Sequence, residues 1–205
     1  MIGKIPLYNI NFSSKCVKED VCILKKDELG EYTPYNAKLV EFDIEKESGK
    51  IKSICEKKEF SSFGSDLYNS LYDIRDYHSR NIEEKHCFAL IENSETNLAD
   101  IDNDKVLGIY TLYETTNKDI PLSLPYFMTN GNYQNQYDIN TKYKCIGKSM
   151  FKSITEMYPD KAIYGYTAWS AMSFWEKLGF KHLSERRLVY IPSSIANKIK
   201  LNLYM

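Results

Sequence analysis

Apolar and polar positions alternate along residues 37–45, with Val40, Phe42 and Ile44 set against Leu39, Glu41 and Asp43. That two-residue period belongs to a half-buried strand. Ser48-Gly49 marks a turn after it, and residues 51–60 are expected to return as its hairpin partner. Residues 1–35 hold no sustained period and read as an irregular arm or short edge elements. Beyond Ser62-Phe63-Gly64, Ser65 is suited to cap a helix. Its apolar face would carry Leu67, Leu71, Ile74 and Ile82 at three- and four-residue steps, with His78 at the core edge. Residues 87–91 and 105–113 are continuous apolar runs, the pattern of strands buried on both faces, joined by the polar stretch 92–104. Pro121 and Pro125 make 120–128 an edge or irregular segment. After the Asn130-Gly131 turn, residues 132–139 return as a strand. Helical period resumes with Met150, Phe151, Ile154, Met157 and Tyr158 until Pro159 stops it. Then follow a strand at 162–167, a short helix at 170–178 closed by Gly179, and a last strand at 181–191. The tail 193–205 offers one more helical face through Ile195, Ile199 and Leu203. No internal repeats interrupt this order, which predicts an α/β layer fold on a mixed sheet.

A chain of 205 residues has room for one compact unit with an elaboration. Residues 1–64 are expected to form an N-terminal arm and strand hairpin packed on a main domain of residues 65–205. Twenty-seven basic against 28 acidic side chains give a net charge of -1, so no global basic field gathers nucleic acid or an anionic membrane. Cys16, Cys22, Cys55, Cys87 and Cys145 show no C-x-x-C pair and no Cys/His spacing, which reads as reduced thiols with no metal site. Lys4, Pro6 and Asn9 break the start before an apolar signal core can build, and no apolar run nears the roughly 18 residues of a membrane span. The expectation is a soluble, cytoplasmic protein.

Residues 139–151 read as a strand end passing through a small-residue turn into a helix. Such a junction aims backbone N–H groups outward at the positive end of a helix dipole, ready for an anion. Lys142, Lys144 and Lys148 gather positive charge there, and a phosphate-bearing ligand would fit.

The run Ala171-Met172-Ser173-Phe174-Trp175-Glu176-Lys177-Leu178-Gly179-Phe180 resembles the A-x-x-F/L-Y-E-K-x-G-F signature of GNAT-type N-acetyltransferases. The preceding K-Y-K-C-I-G-K-S-M-F is similar to that family's acyl-CoA loop in its shorter form. The resemblance spans roughly residues 87–190. It implies a GNAT-like mixed central sheet with splayed central strands flanked by helices, plus the N-terminal elaboration. It also implies acetyl-CoA as acyl donor and no metal. In that frame 132–139 would splay from 162–167 and the pantetheine arm would lie in the gap. The pyrophosphate would rest on the N–H groups from Cys145 to Ser149. Cofactor-binding residues would then be Ile139, Asn140, Lys144, Cys145, Ile146, Gly147, Lys148, Ser149, Phe174 and Trp175. Three residues depart from the pattern: Lys144 stands where Arg or Gln is usual and Cys145 where the first Gly is. Trp175 replaces the Tyr whose hydroxyl protonates the leaving thiolate, and an indole cannot act as an acid at neutral pH.

Acetyl transfer needs a deprotonated amine and donors for the oxyanion. Glu114 and Asp138 are the carboxylates suited to act as base, and Tyr166 could replace the missing hydroxyl. Two other readings stay open. One is a catalytically degenerate module of the same fold that binds or regulates. The other is a thiol enzyme pairing Cys87 or Cys145 with His78, His86 or His182. The acceptor, a small-molecule, peptide or protein amine, is not encoded in any motif. A homodimer could form by pairing at an exposed sheet edge.

Overall fold

Strands β1 (Lys15–Lys26) and β2 (Tyr32–Phe42) pair as an antiparallel hairpin. Asp27 closes it by accepting the N–H groups of Leu29 and Glu31. This computed structural model describes residues 14–60, 63–73, 81–95, 97–98, 101–133 and 141–196. Residues 37–42 of β2 fall within the strand expected at 37–45, whereas β1 lies where the sequence lacked a period. Two register shifts break the alternation of β1, and only Val21 and Ile23 of its apolar residues are buried. Residues 51–60 do not return as a strand. Helix α1 (Ser48–Cys55) and a 3-10 turn at Lys58–Phe60 stand there. Ile51, Ile54 and Cys55 recur at helical steps, and all three are buried.

Helix α2 (Phe63–Tyr72) buries Leu67 and Leu71, while Ile74 and His78 lie outside the described residues. Ile82 opens strand β3 (Ile82–Glu92) instead of continuing the helix. Buried Lys85 reaches back from β3 to hydrogen-bond the carbonyls of Ser70 and Asp73 at 2.6 and 3.0 Å. A cation is thereby set on the negative end of α2.

Strand β4 (Val106–Thr115) is followed by β5 (Leu122–Thr129), β6 (Tyr143–Lys144), helix α3 (Ile146–Met157), β7 (Ile163–Tyr166), helix α4 (Met172–Lys177), β8 (Lys181–His182) and β9 (Arg187–Tyr190). Among the described residues, one sheet takes all nine strands in the order β6-β1-β2-β3-β4-β5-β7-β9-β8. Every described pairing is antiparallel except β5 with β7. On one face, α3 packs Met150, Phe151 and Ile154 against Leu39, Leu90, Tyr110 and Leu112. On the other, Ile51, Ile54, Phe60 and Leu67 meet Val40, Cys87, Ile109 and Tyr113.

Three expectations about the sheet change. The segment with Pro121 and Pro125 is no edge but the interior strand β5, held between β4 and β7. It tolerates Pro125 because the ladder to β4 shifts by one residue there, leaving Leu124 and Pro125 opposite Leu112 in a β-bulge. The expected strand at 132–139 begins instead with a 3-10 turn at Gly131–Tyr133, and 134–139 lie outside the described residues. The last strand is split: residues 183–186 bend the chain so that β8 and β9 pair with each other. Within the tail, residues 193–196 form a turn, and 197–205 lie outside the described residues. Among the described residues, no helix is long and apolar enough to cross a membrane.

Candidate active site

The parallel pair β5–β7 stays in register only over Leu122↔Ile163, Ser123↔Tyr164 and Leu124↔Gly165. Past the bulge β5 keeps its ladder to β4 as far as Thr129, whereas β7 follows β9 to Tyr166↔Arg187. β5 and β7 therefore splay, with β5 standing where 132–139 was expected beside 162–167. At the opening lies a cavity of about 10 Å³ lined by Leu124, Gly165, Tyr166 and Trp175 among others.

The first turn of α3 abuts this opening. Its cap residue, Cys145, takes the left-handed conformation, φ 65° and ψ 11°, and makes no side-chain cap hydrogen bond. A Cβ in that region is strained. A helix start leaves its first N–H groups, here those of Ile146, Gly147 and Lys148, without intrahelical acceptors. A Cβ on Gly147 would come within 3.0 Å of the Phe174 ring. Glycine thus lets α4 approach the start of α3.

Phe174 and Trp175 belong to a run that ends in a Schellman motif. The Phe180 N–H donates to the Trp175 carbonyl, the Gly179 N–H donates to that of Glu176, and Gly179 has φ 93°. The apolar contact that accompanies this motif is the Trp175–Phe180 ring pair, with centroids 5.0 Å apart. Phe127 and Phe151 meet the indole edge-on from the other sides, at 5.0 and 6.1 Å. Trp175 thus plugs the splay with a ring.

Tyr166 stands at the rim, 54% exposed, with the Arg186 guanidinium 4.6 Å from its ring centroid. Arg186 is held there by donating Nε–H to the Thr167 carbonyl at 3.0 Å. Sequence reasoning missed Arg186, because it sits in the bend that splits what looked like one strand.

The lysines expected at the anion site divide. Lys142 pairs with buried Glu92 at 3.1 Å, and Lys144 lies over the Tyr32 ring at 4.1 Å. Lys148 is exposed beside the open N–H groups. Ser149 turns inward, its hydroxyl donating to the Cys22 carbonyl at 2.5 Å and tying α3 to β1. Buried Ile146 belongs to the core with Tyr143. Glu114 lies away from the splay, at the far end of the β4–β5 ladder opposite Leu122. There it pairs with Lys161 at 3.0 Å and faces His86. Asp138, Ile139 and Asn140 lie outside the described residues.

The thiol reading finds no activated sulfur in the core. Burial pushes the Cys87 thiol well above its ordinary range and the Cys55 thiol up to about 12. A protonated thiol is a poor nucleophile.

No protein-family model and no curated protein matches the sequence. The chain is similar to solved structures that include a putative GNAT-family acetyltransferase from Desulfovibrio desulfuricans, with 11% identity over 76% of this chain and 98% of that one, TM-score 0.49. A GNAT-family acetyltransferase from Staphylococcus aureus Mu50 matches at 16% identity over 76% and 98%, TM-score 0.46. The Bacillus subtilis N-acetyltransferase YlbP, in complex with coenzyme A, matches at 18% over 69% and 90%, TM-score 0.43. At these values each is a distant likeness, and the functional reading rests on this chain's own residues.

Proposed function

We propose that the protein is an acetyl-CoA-dependent N-acetyltransferase that moves acetyl directly from the thioester to an amine. The observation that carries this reading is the opening of the parallel β5–β7 pair, after Leu124↔Gly165, beside the uncapped first turn of α3. The residues fit the donor at its phosphate end: open N–H groups at Ile146, Gly147 and Lys148 and the exposed Lys148 ammonium suit a pyrophosphate. When bound, acetyl-CoA supplies an acetyl group activated as a thioester. Tyr166, at the rim of the splay, carries the hydroxyl suited to protonate a leaving thiolate, the role Trp175 cannot fill. A carboxylate must take the amine proton. Asp138 remains the proposed base. Glu114, the other carboxylate expected to act so, lies away from the splay in its ion pair with Lys161. The acceptor is an amine of a small molecule, peptide or protein.

A second reading is favoured by Trp175 itself. Its indole, packed among Phe127, Phe151, Phe174 and Phe180, leaves a cavity of only about 10 Å³ at the splay. That is the state expected of a module that keeps the fold and no longer transfers acetyl.

Thermal unfolding with acetyl-CoA, with ATP and NAD as anionic controls, tests the donor site. Ligand at 100 times its Kd adds about 2.7 kcal/mol, which at this chain length raises Tm by roughly 5–10 °C. A rise with acetyl-CoA alone is the expected result. Equal shifts with all three ligands, or none, would remove the acetyl-CoA reading.

A further inference from the structure

Glu84 and His86 are two residues apart on β3, so their side chains leave the same face of the sheet. Directly across the β3–β4 ladder, Glu84 is the register partner of Glu114. Two carboxylates in facing positions repel each other, and something must compensate.

The lysines around the cluster compensate only from outside. Lys161 takes Oε2 of Glu114 at 3.0 Å, and Lys15 takes Oε2 of Glu41 at 2.6 Å. Glu41 turns its other oxygen to His86, with Oε1 2.8 Å from Nδ1. A carboxylate only accepts, so Nδ1 carries the proton of the neutral ring and Nε2 presents its lone pair. Among the described residues, Nε2 is buried and has no hydrogen-bond partner. It points between Glu84 Oε2 at 3.8 Å and Glu114 Oε1 at 3.7 Å, too far for hydrogen bonds. One strand step along the same face, the Tyr110 hydroxyl is likewise buried without a partner.

We propose that Glu84, His86 and Glu114 form a binding site for a divalent first-row transition cation. Ligand atoms each about 2.1 Å from one ion can lie at most about 4.2 Å apart, and both Nε2–carboxylate distances fall inside that limit. The three ligand atoms lie within 4.8 Å of one another. The Glu84 side chain, 67% exposed, is free to close what remains. Glu41 plays the outer part that metal-bound histidines rely on, orienting the ring and fixing its tautomer. The donor set, one imidazole and two carboxylates, suits ions of zinc, cobalt or manganese character over calcium. Three protein ligands leave a position for water on the exposed Glu84 side. Such an ion would pin β3 to β4 beside the end of α3, apart from the splay.

Co²⁺ is the probe of choice because its visible spectrum reports coordination without any enzymatic assay. The full-length protein, stripped with chelator and titrated at pH 8, is expected to bind one equivalent. Visible ligand-field bands should appear with no thiolate charge-transfer band, and Tm should rise. Glu84→Gln alters an exposed side chain and keeps the fold intact, and it should weaken binding about tenfold or more. His86→Gln should abolish the bands, and Glu41→Gln should weaken binding by about 10–100-fold. Absence of bands at millimolar Co²⁺ would overturn the proposal. So would a thiolate band traced to exposed Cys22 or Cys145, or binding unchanged in Glu84→Gln.

Discussion

Cys145 carries a side chain where the backbone, at φ 65°, favours none. The left-handed region costs an L-residue roughly 1–2 kcal/mol, and glycine returns part of that through the entropy of the unfolded chain. Cys145→Gly is therefore expected to stabilise the fold by about 0.5–1 kcal/mol, read as a higher urea midpoint at unchanged slope. Glu92 makes a second prediction at this scale. Burial alone would raise its pKa, but hydrogen bonding and the ammonium groups of Lys142 at 3.1 Å and Lys105 at 3.6 Å outweigh it, so the net shift is downward from 4.5. A lowered carboxylate contributes its full stability above its ordinary pKa and loses it as pH falls through the lower, folded-state value. The stability advantage of the natural chain over Glu92→Gln should accordingly be constant above pH 4.5 and shrink below it. Urea unfolding at pH 7 and pH 3 checks this, and an advantage that grows in acid would refute it.

At the scale of elements, the F-W-E-K-L-G-F run has a structural task independent of any ligand. Its glycine ends α4 in a Schellman motif, and the Trp175–Phe180 contact fixes the exit of the chain toward β8. A Cβ on Gly179 would meet only the Tyr190 ring at 3.6 Å, an ordinary contact, so the penalty lies in the backbone. Gly179→Ala should cost about 1–2 kcal/mol and lower Tm by roughly 2–8 °C. A smaller loss would mean that the cap relaxes. Local period located α3 and α4 because each is closed by its own stop signal, Pro159 and Gly179, and β7 lies between them. The same reasoning found residues 37–42 of β2 but missed its partner β1, which is charged and bulged. It also assigned a strand to 51–60, where the three inward residues Ile51, Ile54 and Cys55 keep helical steps and break a strand's alternation.

For the whole molecule, the decisive geometry is where two strands part and what fills the gap. Trp175→Tyr tests both functional readings. The smaller ring makes room between Phe127 and Phe151, and the hydroxyl supplies an acid next to Tyr166. An active transferase should gain turnover over a panel of amines in the presence of acetyl-CoA, by about tenfold or more if acid catalysis limits it. A degenerate module should stay inert while folded and able to bind acetyl-CoA.

The sequence by itself determined the strands at 87–91 and 105–113, the helix–strand–helix order after Gly147 and the cap at Gly179. It also marked the two segments that meet at the splay. These are local properties, set by period, turn chemistry and the steric freedom of single residues. Tertiary structure decided which strand is central. Pro125 looked excluded from a sheet interior until a bulge opposite Leu112 absorbed it, and a bulge exists only between two paired strands. It also separated the lysines of one short segment, sending Lys142 to Glu92 and Lys144 to Tyr32, partners about 50 and 110 residues away. The meeting of Glu41, Glu84, His86 and Glu114 was decided the same way. Three strands bring those side chains to one face, and no spacing along the chain records their register.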